Sequence, residues 1–123
     1  MLPFCRASAV GFTAFSPLAG GWLTGKYRAG HAFPAGSRMT LRPESYGAFV
    51  SDAVFRSLAA FQNDARQRKV KASTLALSWV LGHADVNAAV IGPRTLAHLD
   101  EAVAALDTRL IDAERDAVAT LFG

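Results

Sequence analysis

Two short apolar runs, each cut off by a proline, constrain this chain most. Phe12 to Phe15 reads FTAF and meets Ser16-Pro17; Asn87 to Ile91 reads NAAVI and meets Gly92-Pro93. Runs so short and so apolar read as strands buried on both faces. A proline has no N–H to give a sheet ladder, so it stops each run. The stretch between them is helical in pattern. Val54, Leu58, Phe61 and Ala65 recur at helical spacing from about Asp52 to Lys69. A second helix is expected from about Ala72 to Leu81, ended by Gly82. Strand, helices, strand implies a parallel pair joined by a crossover.

The flanks complete the pattern. Leu2 to Val10 reads as the last turns of a helix that Gly11 ends. Arg28 to Gly47 carries Gly, Pro, Ser and Arg without periodicity, a loop of the length that usually has a function. Thr95 can cap a third helix running to about Leu106. A fourth, amphipathic helix is expected from Asp112 to Leu121. Two parallel strands leave an open edge on each side, and parallel sheets are normally wide and covered. The chain therefore reads as a piece of a larger α/β protein.

Composition bounds the function classes. Half of the 123 residues are hydrophobic (51%) and 19% are charged, which excludes a disordered chain. The net charge of +3 is spread thinly, so it points to an anionic small ligand and not to nucleic acid. Cys5 is the one cysteine. An intrachain disulfide is excluded, a reducing compartment fits, and the thiol is expected as a small buried hydrophobe. No apolar run reaches the roughly 20 residues of a membrane span, and no signal-peptide pattern opens the chain. A cytoplasmic protein is expected, with no metal site, since no His/Cys/Asp spacing suggests one.

Gly20, Gly25 and Lys26 have the G-x-x-x-x-G-K spacing of a phosphate-binding P-loop. That loop needs a short hydroxyl after the lysine and a helix beginning there. Here Tyr27 follows, and then the loop RAGHAFPAGS. The P-loop reading fails on both counts.

Three stretches carry a resemblance instead. FSPLAGGWLTGKY, Phe15 to Tyr27, is similar to the segment after the seventh barrel strand of aldo-keto reductases, where a Y-S-P-L-x-x-G-x-L-T-G-K-Y pattern recurs. ALSWVLGH, Ala76 to His83, resembles the helix that follows. AAVIGPRTLAHLDEAVAAL, Ala88 to Leu106, resembles the eighth strand and its helix. The resemblance covers nearly the whole chain. It implies an α/β fold, the C-terminal part of a (β/α)8 TIM barrel, with residues 1–123 forming one portion of an oxidoreductase domain.

The resemblance further implies NADP(H) at the carboxyl ends of the strands. Ser16, Pro17, Leu18, Ala19 and Gly20 match the turn along the pyrophosphate, where small residues let backbone N–H groups come close. Lys26 matches the lysine by the phosphates, and Arg38 the arginine of a loop that folds over the cofactor. Gly92 and Arg94 fall at the adenosine 2′-phosphate. A guanidinium can grip a phosphate with two parallel hydrogen bonds, and a helix N-terminus at Thr95 adds its dipole. Arg94 is thus the residue that argues NADP over NAD. Glu101 matches the acidic contact with the adenine amine. His98 stands where glutamine is usual and Ala102 where asparagine is usual; imidazole can still stack on or bond to adenine, whereas Ala102 loses an amide contact.

The family's catalytic Asp, Tyr, Lys and His belong to the first half of the fold, and no residue here matches them. The expected function is part of an NADP(H)-dependent reductase, supplying cofactor-binding segments for hydride transfer to a small carbonyl substrate. The missing N-terminal half is the implied partner, and the chain alone is expected to be inactive. The alternative is a non-catalytic remnant or a nucleotide-binding partner module. Apart from the resemblance, Gly20 and Gly25 read as turn glycines, and Lys26, Arg38, Arg94 and Glu101 as solvated charges. Trp79 reads as core. Trp22 reads as core or lid packing ahead of pocket lining.

Overall fold

The computed structural model describes residues 1–123. Helix α1 (Leu2–Ala7) leads to strand β1 (Thr13–Ala14), then to a 3-10 turn over Ala19–Thr24. A long connection carries the short helix α2 (Arg38–Leu41) and 3-10 turns at Pro43–Ser45 and Gly47–Phe49. Helices α3 (Asp52–Gln67) and α4 (Ala72–Leu81) follow, then β2 (Ala88–Ala89), α5 (Leu96–Asp107) and α6 (Asp112–Thr120). The strands pair in parallel, Thr13 with Ala88 and Ala14 with Ala89. The α/β class, the parallel pair and the flanking helices are thus as the sequence predicts. No helix is long and apolar enough to cross a membrane.

The helices form where pattern and caps agree. Ser51 caps α3 by accepting the Val54 N–H at 3.3 Å. Thr95 caps α5 by accepting the His98 N–H at 3.2 Å. Each cap satisfies an N–H that the first turn would leave unpaired. In α3, Leu58, Phe61 and Ala65 are buried and Val54 half-buried, the stripe the spacing predicts. Helix α4 is buried on every side from Ser73 to Ser78, because α3 and α5 both pack on it. The main core joins Phe61, Ala65, Leu75, Ala76, Leu110 and Val118. A second cluster joins Trp22, Tyr27, Met39 and Leu58.

Three expectations are corrected. The strands are not buried on both faces: Phe15 is 85% exposed, Val90 52% and Ile91 38%. One face lies on the helices and nothing in the chain covers the other. Gly11 does not end α1. The helix closes at Ala7, with Ala9 left-handed (φ 53°) and the Val10 N–H bonded to the Cys5 carbonyl at 2.9 Å. Lys69 (φ 59°) closes α3 in the same way, through Val70 N–H to Ala65 carbonyl at 3.0 Å. Both are closures normally given to glycine. The connection from Arg28 to Gly47 is not featureless. The Thr40 hydroxyl bonds the Ser37 carbonyl at 3.0 Å and ties up one turn, and Pro43 opens another with its φ already set.

Two clamps seat α6. The Trp79 indole N–H donates to the Arg115 carbonyl at 2.9 Å, and Arg115 Nε donates back to the Trp79 carbonyl at 3.0 Å. Arg68 pairs with Asp64 at 3.0 Å and with Glu114 at 2.8 Å, joining α3 to α6. Glu114 also accepts the Ile111 N–H at 3.0 Å. That backbone bond, then the Arg68 guanidinium, holds its carboxyl below the usual carboxylate range. Arg68 is raised in turn, chiefly by its bond to Glu114. Because the folded carboxyl is depressed, its stabilising contribution is present above the unfolded carboxylate range and is lost as pH falls through the folded value. Glu114→Gln should therefore flatten the acid limb of the stability curve and leave the neutral-to-alkaline limb's shape unchanged. Unfolding midpoints from pH 3 to 8 would check it; parallel curves for both proteins would refute it.

Candidate functional site

The parallel register sets the site. With Thr13 opposite Ala88 and Ala14 opposite Ala89, both chains leave the sheet at the same edge. The turn after β1, Ser16–Gly20, and the turn after β2, Gly92–Arg94, therefore stand side by side at the strands' carboxyl ends. Ligands of parallel α/β sheets bind at that edge, where loops and helix N-termini converge.

The first turn is wound tightly. Ser16 (φ 55°) and Ala19 (φ 47°) are left-handed without being glycine, and Gly20 (φ 65°) and Gly21 (φ 98°) continue the series. Ala19 N–H bonds the Ser16 carbonyl at 2.9 Å, and Gly21 N–H the Leu18 carbonyl at 2.8 Å. Non-glycine residues held left-handed cost about 1–3 kcal/mol each and cluster where backbone is shaped for a ligand. Glycine suits both positions: the Tyr46 ring closes over Gly20, and Gly21 at φ 98° holds a conformation that side chains rarely adopt. A Cβ on Gly20 would fall within the Tyr46 ring, and one on Gly21 would lie 2.5 Å from the Lys26 ammonium. Lys26 thus lies over the Gly21 backbone, with its ammonium 5.0 Å from the Tyr27 ring centre. The Tyr27 hydroxyl reaches the Gly20 carbonyl at 3.4 Å. Pro17 and Ala19 border an apolar cavity of about 420 Å³ between the 3-10 turn, α3, α4 and α6. Trp22 packs in the core, 2% exposed, with that cavity at its side, as the core reading expects.

The second turn is open. Gly92, Arg94 and His98 are exposed. Arg94 reaches across to the long connection, its guanidinium donating to the Gly36 carbonyl at 3.2 Å. Arg38 follows two residues later at the start of α2, so the loop that carries it is tied to the second turn. The His98 ring turns back, Nδ1 accepting the Arg94 N–H at 3.4 Å. Glu101 is half-buried against α4, where Ser73 donates to its carboxylate. Lys26, Arg38 and Arg94 form no ion pair.

The resemblance marks Ser16 to Gly20, Lys26, Gly92 and Arg94, which the fold brings to one edge, with Arg38 linked to it through Gly36. It did not find Tyr46, which covers Gly20, nor Ser73, which holds Glu101. An aromatic in a long functional loop was the one available signal for the first. The second had none, since a serine on a buried helix looks like any small core residue.

Comparison with known proteins agrees with the geometry. The Aldo/keto reductase family profile matches residues 1–121. L-glyceraldehyde 3-phosphate reductase of Escherichia coli strain K12 is 34% identical over 111 residues, covering 87% of this chain and 32% of that protein. A probable voltage-gated potassium channel subunit beta of Arabidopsis thaliana is 32% identical over 110 residues, covering 86% of this chain and 33% of that protein. An aldo-keto reductase [NADP(+)] of Schizosaccharomyces pombe is 25% identical over 112 residues, covering 89% and 32%. The chain spans about a third of the length of the curated relatives it matches. The three motifs in order, the paired turns at one sheet edge and a profile match along nearly every residue place the chain in the aldo/keto reductase family of oxidoreductases.

Proposed function

We propose that this chain supplies the dinucleotide-holding edge of an NADP(H)-dependent aldo-keto reductase acting on a small carbonyl substrate. The observation that carries the reading is Arg94. An unpaired guanidinium stands at the carboxyl edge of a parallel sheet, beside a helix N-terminus and across from a left-handed turn. That set fits a phosphorylated dinucleotide. Backbone N–H groups of Ser16, Leu18 and Gly20 and the Lys26 ammonium would take the pyrophosphate, with Pro17 and Ala19 shaping the turn. Gly92 and Arg94 would take the 2′-phosphate, with Arg38 closing from the connection. His98 and Glu101 would face the adenine. The bound nicotinamide supplies the hydride; the acid–base residues that the family uses are not among these 123 residues. The uncovered Phe15, Val90 and Ile91 support a closed (β/α)8 barrel in which further strands and helices cover that face.

The test is a fluorescence titration, on the protein as its cell produces it, with NADPH and NADH, followed by competition with adenosine 2′,5′-bisphosphate. NADPH should bind at least tenfold more tightly, the worth of about 1.4 kcal/mol at the 2′-phosphate. The bisphosphate should displace it better than ADP does. Equal affinities, or no binding of either cofactor, would reject the reading.

A further inference from the structure

Three hydroxyls on α4 face α5, and they are not alike. The Thr74 hydroxyl donates to the Glu101 carbonyl at 2.8 Å, and the Ser78 hydroxyl donates to the Thr74 carbonyl at 2.8 Å with the Ala105 carbonyl at 3.3 Å. Both reach backbone, and both are explained by the packing of one helix on another. Ser73 differs. Its hydroxyl donates to Oε2 of the Glu101 side chain, and Ser73 is itself only 5% exposed. No protein donor engages Oε1. Glu101 is therefore held twice by α4, by its backbone carbonyl and by one carboxylate oxygen, while its second oxygen is left for something outside the protein.

We propose that Ser73 is a positioning residue: it fixes the Glu101 carboxylate so that Oε1 is presented to the exocyclic amine of the adenine. The inference rests on the reading of Glu101 as the adenine contact. Its physical basis is pre-organisation. A glutamate side chain has three rotatable bonds, and a free one must be ordered when the ligand binds. Here the hydrogen bond from Ser73 has ordered it beforehand.

The experiment compares NADPH with its deamino analogue, in which hypoxanthine carries a carbonyl in place of the amine. Binding is titrated by fluorescence in the protein as its cell produces it. The wild type should prefer NADPH over the analogue. Ser73→Ala should weaken NADPH about threefold to tenfold, the span of one ordinary hydrogen bond, and leave the analogue unchanged. Thr74→Ala is the control. It loosens the same helix contact through backbone alone, so it should move both ligands equally or neither. In a Glu101→Gln background, Ser73→Ala should alter the NADPH-to-analogue ratio no further. If Ser73→Ala does not fold, Ser73→Cys gives the same comparison, since a thiol of similar shape is a poorer donor.

Equal losses for both ligands would make Ser73 a helix-packing residue and overturn the proposal. A wild type that binds both ligands equally would overturn it too, by removing Glu101 from the amine. A wild type that binds neither would reject the cofactor reading itself, and the inference with it.

Discussion

Arg94→Ala should weaken NADPH binding roughly tenfold to over a hundredfold and leave NADH almost untouched. Loss of a charge-assisted hydrogen-bonded pair costs about 1.5–3 kcal/mol, and each 1.4 kcal/mol is about tenfold in affinity. The guanidinium is free to make that pair. Its protein partner is a neutral carbonyl, Gly36, at 3.2 Å, and no carboxylate competes for it. Because Arg94 is exposed, the loss should sit at the lower end of the range and shrink further with added salt. Lys26→Ala should instead weaken both cofactors by similar factors, since the pyrophosphate is common to them. Fluorescence titration of the four combinations separates the two roles. Equal losses for NADPH and NADH with Arg94→Ala would reduce Arg94 to a tether for the Gly36 loop.

How much of this was legible in the sequence depends on the range of the interaction that decides each feature. Helix α3 was legible because Val54, Leu58, Phe61 and Ala65 sit one turn apart and bury one face. The start of α5 was legible because a threonine capping its own first turn is a contact over three residues. The ends of α1 and α3 were not. Ala9 and Lys69 take a left-handed conformation that sequence rules reserve for glycine, and the bonds that hold them there are seen only in the folded turn. Strand burial was misread because FTAF and NAAVI reveal apolarity but not what covers it. The long connection gave no period because its turns are organised around a distant side chain. Phe33 and Phe49 of the connection gather on Trp22 together with Phe55 of α3, with ring centres 6.2, 5.7 and 5.6 Å away. At the site, the resemblance singles out Arg94 and Glu101. It could not show their partners, Gly36 and Ser73, which lie 58 and 28 residues away in the chain.

That dependence on Trp22 leads to the largest stability change expected here. Trp22 is 2% exposed and meets Tyr27 edge-on at 4.9 Å as well as the three phenylalanines. Trp22→Ala should cost about 3–5 kcal/mol, the range for truncating a buried large aromatic. It should also loosen the connection that carries Arg38. Trp22→Phe is the sharper measurement. The indole N–H of Trp22 is buried without a partner, and an unpaired buried donor is itself destabilising by about 1–3 kcal/mol. Replacing it with phenylalanine removes that penalty along with some ring area, so the two effects oppose and the net change should stay within about 1 kcal/mol. Trp79 makes the contrast. Its N–H is bonded to the Arg115 carbonyl at 2.9 Å and its ring lies 5.1 Å from the Arg115 guanidinium. Trp79→Phe forfeits a hydrogen bond of about 0.5–1.5 kcal/mol and weakens a cation–π contact of about 0.5–1 kcal/mol, with nothing gained in return. Urea unfolding at constant m-value would rank the three substitutions. The order should be Trp22→Ala most damaging, then Trp79→Phe, then Trp22→Phe. If Trp22→Phe proved as costly as Trp79→Phe, the Trp22 N–H would have to be bonded in solution, and the imbalance assigned to it here would be wrong.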